Sequence, residues 1–156
     1  MTLLLIIRLR GRSGAPPDVE HTLQLLRLTR KFHAVIYPDS ESIKGMLEVV
    51  KDWVTWGEVD PKVLKELIIR RGRLVGDKPI TDEDLKNIFN VSTFDELVEA
   101  LMNGKILWHK EPRVTPIFRL RPPKGGFKRS IKRPYKASGE LGYRGSEINE
   151  LVKRMM

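Results

Sequence analysis

At 156 residues the chain is long enough for one ordinary domain, or for a small domain with an extension. Its 40% hydrophobic and 31% charged residues exclude wholesale disorder, and the absence of cysteine excludes disulfides and thiolate metal or redox sites. Against 20 Asp and Glu stand 29 Lys and Arg, a net charge of +9 whose meaning depends on where the excess lies.

The opening "MTLLLIIRLRGR" carries an apolar run only from Leu3 to Ile7, with arginines after it, the reverse of a signal peptide's order. No segment reaches the ~20 apolar residues of a membrane span, so an intracellular, soluble protein is expected. Leu3 to Leu9 reads as a strand buried on both faces. "RGRSGAPPD" supplies the glycines and prolines of a loop. Asp18 to Lys31 has Val19, Leu23 and Leu26 at helical spacing, with basic residues at the end where they suit the helix dipole. "HAVIY" is a second strand ended by Pro38. Ser40 or Ser42 then caps a second helix bearing Ile43, Met46, Leu47 and Val50. "WVTWGEV" (53–59) is a third strand, on which the odd spacing of Trp53 and Trp56 sends the two rings to opposite faces. The order is β-α-β-α-β, and both connections are long enough for right-handed crossovers with helices packed back on one sheet.

Beyond residue 59 the pattern turns helical. Asp60 caps and Pro61 opens a helix that ends before Gly72. Thr81 with Asp84, and Ser92 with Asp95, have capping-box spacing. The second of these helices carries Phe94, Leu97, Val98, Leu101 and Met102 on one stripe and stops at Gly104. Residues 105–145 hold no sustained period and many prolines and glycines, and a last amphipathic helix runs from Ser146 to Met155. The expected organisation is therefore a core over 1–59, a helical extension over 60–104, an extended basic arm over 105–145 and a terminal helix over 146–156.

All of the charge excess lies in residues 113–136, where nine cations meet no acid; the segments on either side are each neutral. A merely soluble surface would intersperse both signs. Prolines and two adjacent glycines favour an extended chain that can follow a phosphate backbone, and Phe118, Phe127 and Tyr135 among the cations permit stacking. If about six of these cations met phosphates, log K would fall against log salt with a slope of roughly −4 to −5. The anchored helix after the arm argues against a loose tail, and the scattered aromatics argue against a membrane helix.

Enzymatic chemistry finds little support. His21, His33 and His109 are scattered without metal-ligand spacing, and no Walker A, G-x-S-x-G or G-x-G-x-x-G pattern occurs. "GRSG" at 11–14 is either a backbone nest for phosphate beside Arg8, Arg10 and Arg12 or a plain loop. Glu48 and Asp52 would share a face if the second helix reached that far. A small phosphate-ester or acyl-phosphate hydrolase would use Arg8 as an anion clamp, but no polar partner for it stands out. No catalytic residue, metal or cofactor is expected.

The stretch "LLIIRLRGRSG…HTLQLLRL…HAVIYPDSESIKGMLEVVKDWV" resembles the core of the large-subunit ribosomal protein L-thirty family, archaeal type, related to the eukaryotic L-seven protein. The resemblance rests on Arg8, on Thr22, Leu23, Leu26 and Leu28, and on Ile43, Gly45, Met46 and Val50. It continues in a "P..GG.K" stretch (Pro123, Gly125, Gly126, Lys128) and an "INELV.RM" helix (Ile148 to Met155), so it covers essentially the full chain. It implies an α+β, ferredoxin-like core, residence in the large ribosomal subunit beside other ribosomal proteins, and binding to large-subunit (23S-type) rRNA, with 5S rRNA as a further partner. The expected RNA-binding residues are Arg8, Arg10, Arg12, Arg119, Arg121, Lys124, Gly125, Gly126, Phe127, Lys128, Arg129, Lys132, Arg133, Tyr135 and Lys136. A free-standing RNA-binding regulator would use the same residues without a ribosome.

Overall fold

Strand β1 (Leu3–Arg8) is buried along its whole length, and its alternation explains the architecture. In the computed structural model, which describes residues 2–156, Leu3, Leu5 and Ile7 join one hydrophobic cluster while Leu4 and Ile6 join another. A strand apolar on both faces needs a layer on each side. One layer is α1 (Pro17–Leu25) with α2 (Glu41–Val50); Val19, Leu23, Leu47 and Val50 face Leu4 and Ile6. The other is α3 (Pro61–Arg71), α4 (Asp82–Phe89), α5 (Phe94–Met102) and α6 (Ile148–Met155), which cover Leu3, Leu5 and Ile7 with Leu64, Leu67, Leu101, Leu151 and their neighbours.

The fold is α+β with a ferredoxin-like centre. β1 pairs antiparallel with both β2 (His33–Pro38) and β3 (Val54–Glu58). Only the β2–α2–β3 connection is therefore a crossover between parallel strands; β1–α1–β2 joins adjacent antiparallel neighbours, which corrects the expectation of two crossovers. β4 (Arg73–Leu74) and β5 (Lys78–Pro79) form a small separate ladder. The main sheet is widened by β6 (Phe118–Arg119) beside β2, β8 (Gly139–Tyr143) parallel to β3, and β7 (Ser130–Pro134) along β8 at the edge. Residues 105–145 thus contribute core: Trp108 stacks between Phe89 and Phe118 at centroid distances of 5.8 and 5.5 Å, and Val114 and Leu141 are buried with them.

Several boundaries differ from expectation for identifiable reasons. α1 ends at Leu25, because Arg27 adopts a left-handed φ of 67°. The amide of Leu28 then donates to the Leu23 carbonyl (2.8 Å) and that of Arg27 to Gln24 (2.9 Å), a Schellman closure built without glycine. The basic residues expected in the last turn of α1 lie beyond it. α5 is capped by Thr93, whose hydroxyl accepts from the Glu96 amide, one residue later than the Ser92–Asp95 reading. Trp53 precedes β3, so strand alternation does not apply to it, and both Trp53 and Trp56 pack on the α1–α2 layer. Asp60 and Pro61 open α3 as expected, and Thr81 with Asp84 forms a complete capping box. Gly57 has a steric role: a Cβ there would collide with the Gly145 carbonyl where the chain turns into α6.

Candidate nucleic-acid interface

Sheet registry gathers the cations. Arg8 at the end of β1 pairs with Val54 at the start of β3, and His33 at the start of β2 pairs with Arg119 at the end of β6. β8 starts on the same side because it runs parallel to β3. The segments after β1, before β2, after β6 and before β8 therefore share one end of the sheet. They carry Arg10, Arg12, Arg30, Lys31, Arg121, Lys124, Lys128 and Lys136. The other end, where β2 and β3 finish, carries Asp39, Glu41, Glu58 and Asp60. The molecule is polarised along its strands, a distribution that steers polyanions to one end.

Arg8 is not on that surface. Its side chain is fully buried, with Nε donating to the Arg10 carbonyl and Nη1 to the Leu28 carbonyl, both at 2.8 Å, and Glu20 3.5 Å away. Burial lowers its pKa, while the Glu20 carboxylate opposes that shift. Expected as an RNA contact, Arg8 instead ties the loop after β1 to the loop before β2; a guanidinium is suited to this because its fork satisfies several buried carbonyls at once. Arg10 is half-committed, donating to the Asp52 carbonyl (3.2 Å) with its guanidinium 4.6 Å from the Trp53 ring centroid. Arg12 is exposed and pairs with Glu20, at 3.5 Å. With Arg30, Lys31, Gly11 and Thr29 it lines an open pocket of about 520 Å³ floored by Arg8. Arg30 and Lys31, missed in the sequence because they read as the tail of a helix, complete this basic mouth.

Two contacts join the mouth to the basic segment. The Leu120 amide donates to the Phe32 carbonyl (3.1 Å), and the Phe32 and Phe127 rings lie 6.1 Å apart. Phe127 is partly buried and packed against the core, so it anchors the segment. Phe118 is fully buried and does the same. Arg119 is exposed and pairs weakly with Asp77 (3.3 Å); Arg121 donates to the Met156 carbonyl (2.7 Å). Gly125 and Gly126 both take left-handed φ, 78° and 75°, which L side chains rarely adopt. Lys124, Lys128, Lys132, Arg133 and Lys136 are exposed, and among the described residues no carboxylate pairs with them. Arg113 is neutralised locally, donating to Glu111 (2.8 Å).

Two arginines lie against the Tyr135 ring. The guanidinium of Arg129 is 5.0 Å from its centroid and that of Arg144 4.9 Å. Arg144 is buried and donates to Thr55 Oγ1 (2.7 Å), to the Glu140 carboxylate (3.0 Å) and to the Glu140 carbonyl. A ladder thus runs from the core through Tyr135 to the exposed edge. Sequence reading did not reach Arg144, which sits in a charge-balanced stretch, and only its fold position marks it.

His33 stands under this surface with a pKa below the ordinary 6.5, chiefly through burial and then through nearby Arg119, Arg30 and Arg8. His109 is lowered too, by burial first and then by Lys110 and Arg27. Glu48 does not share a helix face with Asp52: α2 ends at Val50, and Glu48 pairs with Lys51 (2.9 Å). Among the described residues no group of His, Asp and Glu could hold a metal ion, and no helix is long and apolar enough to cross a membrane.

A family model described as ribosomal protein L30p/L7e matches residues 4–54, which is β1 through the start of β3. Over its whole length the chain is similar to proteins named large ribosomal subunit protein uL30. That of Staphylothermus marinus is 53% identical over 159 residues, covering 99% of this chain and 98% of the relative. Ignicoccus hospitalis has one 51% identical over 155 residues (99% and 98%), and Thermofilum pendens one 52% identical over 157 residues, covering 100% of both.

Proposed function

The chain belongs to the ribosomal protein L30p/L7e family, and from that premise we propose that it is a structural constituent of the large ribosomal subunit that holds large-subunit, 23S-type rRNA with the cationic end of its sheet. Proteins of this family are structural components and not enzymes. The observation that carries the reading is the convergence at one sheet end of Arg12, Arg30 and Lys31 with Arg121, Lys124, Lys128 and Lys136 of the acid-free segment, which continues along the adjoining edge as β7.

Recognition of this kind is by shape and backbone. The deep, narrow major groove of A-form RNA hides its base edges, while phosphates and 2′-hydroxyls are accessible to guanidinium and ammonium donors. Arg12, Arg30 and Arg133 suit bidentate contact with phosphate; Lys124, Lys128, Lys132 and Lys136 act as point charges. Arg10 and Arg121 contribute field while holding backbone carbonyls, and Arg119 reaches phosphate by exchanging Asp77 for it. Tyr135, with the Arg129 and Arg144 guanidinium groups against its ring, offers its hydroxyl and the part of the ring they leave open. Gly125 and Gly126, with open space where a Cβ would stand, allow the backbone itself close to a strand. Arg8 supports this surface from beneath, with its guanidinium buried and committed to the Arg10 and Leu28 carbonyls and to Glu20, which weakens the hydrolase reading's key residue.

Other large-subunit proteins, and 5S rRNA as a second RNA, complete the set of partners, in the cytoplasm. The testing experiment is sedimentation of the native protein from lysate in sucrose gradients, at low salt and after a high-salt wash. Retention on the large subunit through the wash supports the reading. Release from every RNA-containing fraction alike, or migration as free protein, would replace it with a general RNA-binding protein.

A further inference from the structure

The loop that carries Lys124 and Lys128 has one hydrogen bond of its own, from the Gly126 amide to the Pro123 carbonyl (2.9 Å), and runs into the core-packed Phe127. Gly125 and Gly126 have no side chains, and open space surrounds their Cβ positions. The other hydrogen bonds that fix the loop come from the end of α6. The Arg121 amide donates to the Met155 carbonyl and the Lys124 amide to the Arg154 carbonyl, each at 2.9 Å. In return the Arg154 guanidinium donates from both Nε and Nη2 to the Lys124 carbonyl (3.3 Å each), and from Nη2 to the Gly126 carbonyl as well. One planar fork therefore spans the glycine turn, satisfying carbonyls on both sides of Gly125. By composition Arg154 would count as one more phosphate-binding cation; by geometry its Nε and Nη2 donors are turned to the loop.

We propose that Arg154 is a positioning residue of the rRNA interface: it locks the Gly125–Gly126 turn so that Lys124 and Lys128 are held ready for phosphate, and it does not itself neutralise one. The inference rests on the rRNA-binding reading above. Glycine loses more conformational freedom on ordering than any other residue, so a loop with two of them gains most from being fixed before binding. A lysine at this position keeps the charge but lacks the Nε donor and the rigid planar fork, and its ammonium sits on a flexible stem, so it holds the turn less firmly.

The test compares Arg154→Ala, Arg154→Lys and Lys128→Ala in the full chain, with deproteinised archaeal large-subunit rRNA as the probe. Amide hydrogen exchange at Lys124 and Gly126 in the free protein reads the clamp without RNA. The clamp predicts faster exchange at both amides in both Arg154 variants and an affinity loss of about 10-fold in each. It also predicts a salt slope unchanged from wild type in both, whereas Lys128→Ala loses roughly 0.7 to 0.9 of slope for its one phosphate. If Arg154→Ala lowers the slope as Lys128→Ala does, while Arg154→Lys binds like wild type and exchange is unaltered, Arg154 is a direct phosphate contact and the proposal is overturned. Unchanged affinity together with unchanged exchange overturns it too. If the wild-type chain fails to bind the rRNA while the Arg154 variants still release the loop amides, the clamp is real but its role in rRNA binding is refuted.

Discussion

The pair Arg144 and Glu140 offers a direct test of what holds the β8 edge. Both side chains are 5% exposed, 3.0 Å apart, and Arg144 also donates to Thr55 Oγ1 at 2.7 Å, so the pair bonds β8 to β3 inside the protein. Removing one partner of a buried ion pair leaves the other charge without water or counter-ion and costs about 3–5 kcal/mol. Replacing both by apolar residues of similar size is often neutral or stabilising, because neither charge then has to be desolvated. Arg144→Met and Glu140→Leu should each destabilise by about 3 kcal/mol or more, lowering the melting temperature by roughly 6–20 °C for a domain of this size. The double variant should lose less than either single one. Urea unfolding of all four proteins gives the double-mutant cycle. Single variants costing under about 1 kcal/mol, or a double variant equal to their sum, would refute the reasoning, since the pair would then be neither buried nor coupled in the sense used here.

Arg8→Met should destabilise by about 2–4 kcal/mol in urea unfolding, because it orphans the Arg10 and Leu28 carbonyls beneath the basic mouth. Arg12→Ala should leave stability within about 0.5 kcal/mol of wild type and weaken rRNA binding, whereas Arg10→Ala should lower both, since it also loses Trp53 and the Asp52 carbonyl. Filter binding beside thermal melts separates the two arginines. For pH, His33 and His109 have folded-state values below the ordinary 6.5, so the unfolded chain takes up their protons first. Their contribution is complete above about 6.5 and is lost as pH falls below it towards the depressed folded values. Unfolding free energies at about pH 7.5 and 5.5 should show the fall, and a variant carrying Gln at both positions should flatten it.

What the sequence disclosed followed local physics. A continuously apolar β1, the Asp60–Pro61 start of α3 and the Thr81 capping box are each dictated by residues within a few positions, and each stands where expected. The Ser92 reading slipped by one residue because Ser92 and Thr93 can both cap, and only packing of α5 chooses between them. β6 was invisible because it is two residues long and β8 because glycines interrupt it, and both are stabilised by pairing with distant strands. The charge excess drew attention to the basic segment but could not separate exposed cations from structural ones. Arg8 is buried, Arg113 is paired within its own turn, and Phe127 packs on Phe32; each reads in sequence like its exposed neighbours. Conversely, Arg30 and Lys31 joined the surface only once the left-handed Arg27 ended α1 early.

The central claim is that one end of the sheet faces rRNA, and protein–RNA photo-crosslinking of the native large subunit, read by mass spectrometry of the crosslinked peptides, tests it most directly. The account predicts crosslinks at residues 10–12, 30–31 and 119–136, and none in the acidic segments around Asp39 and Glu58. Crosslinks concentrated at Asp39, Glu58 and Tyr143, with the basic end unmodified, would contradict it.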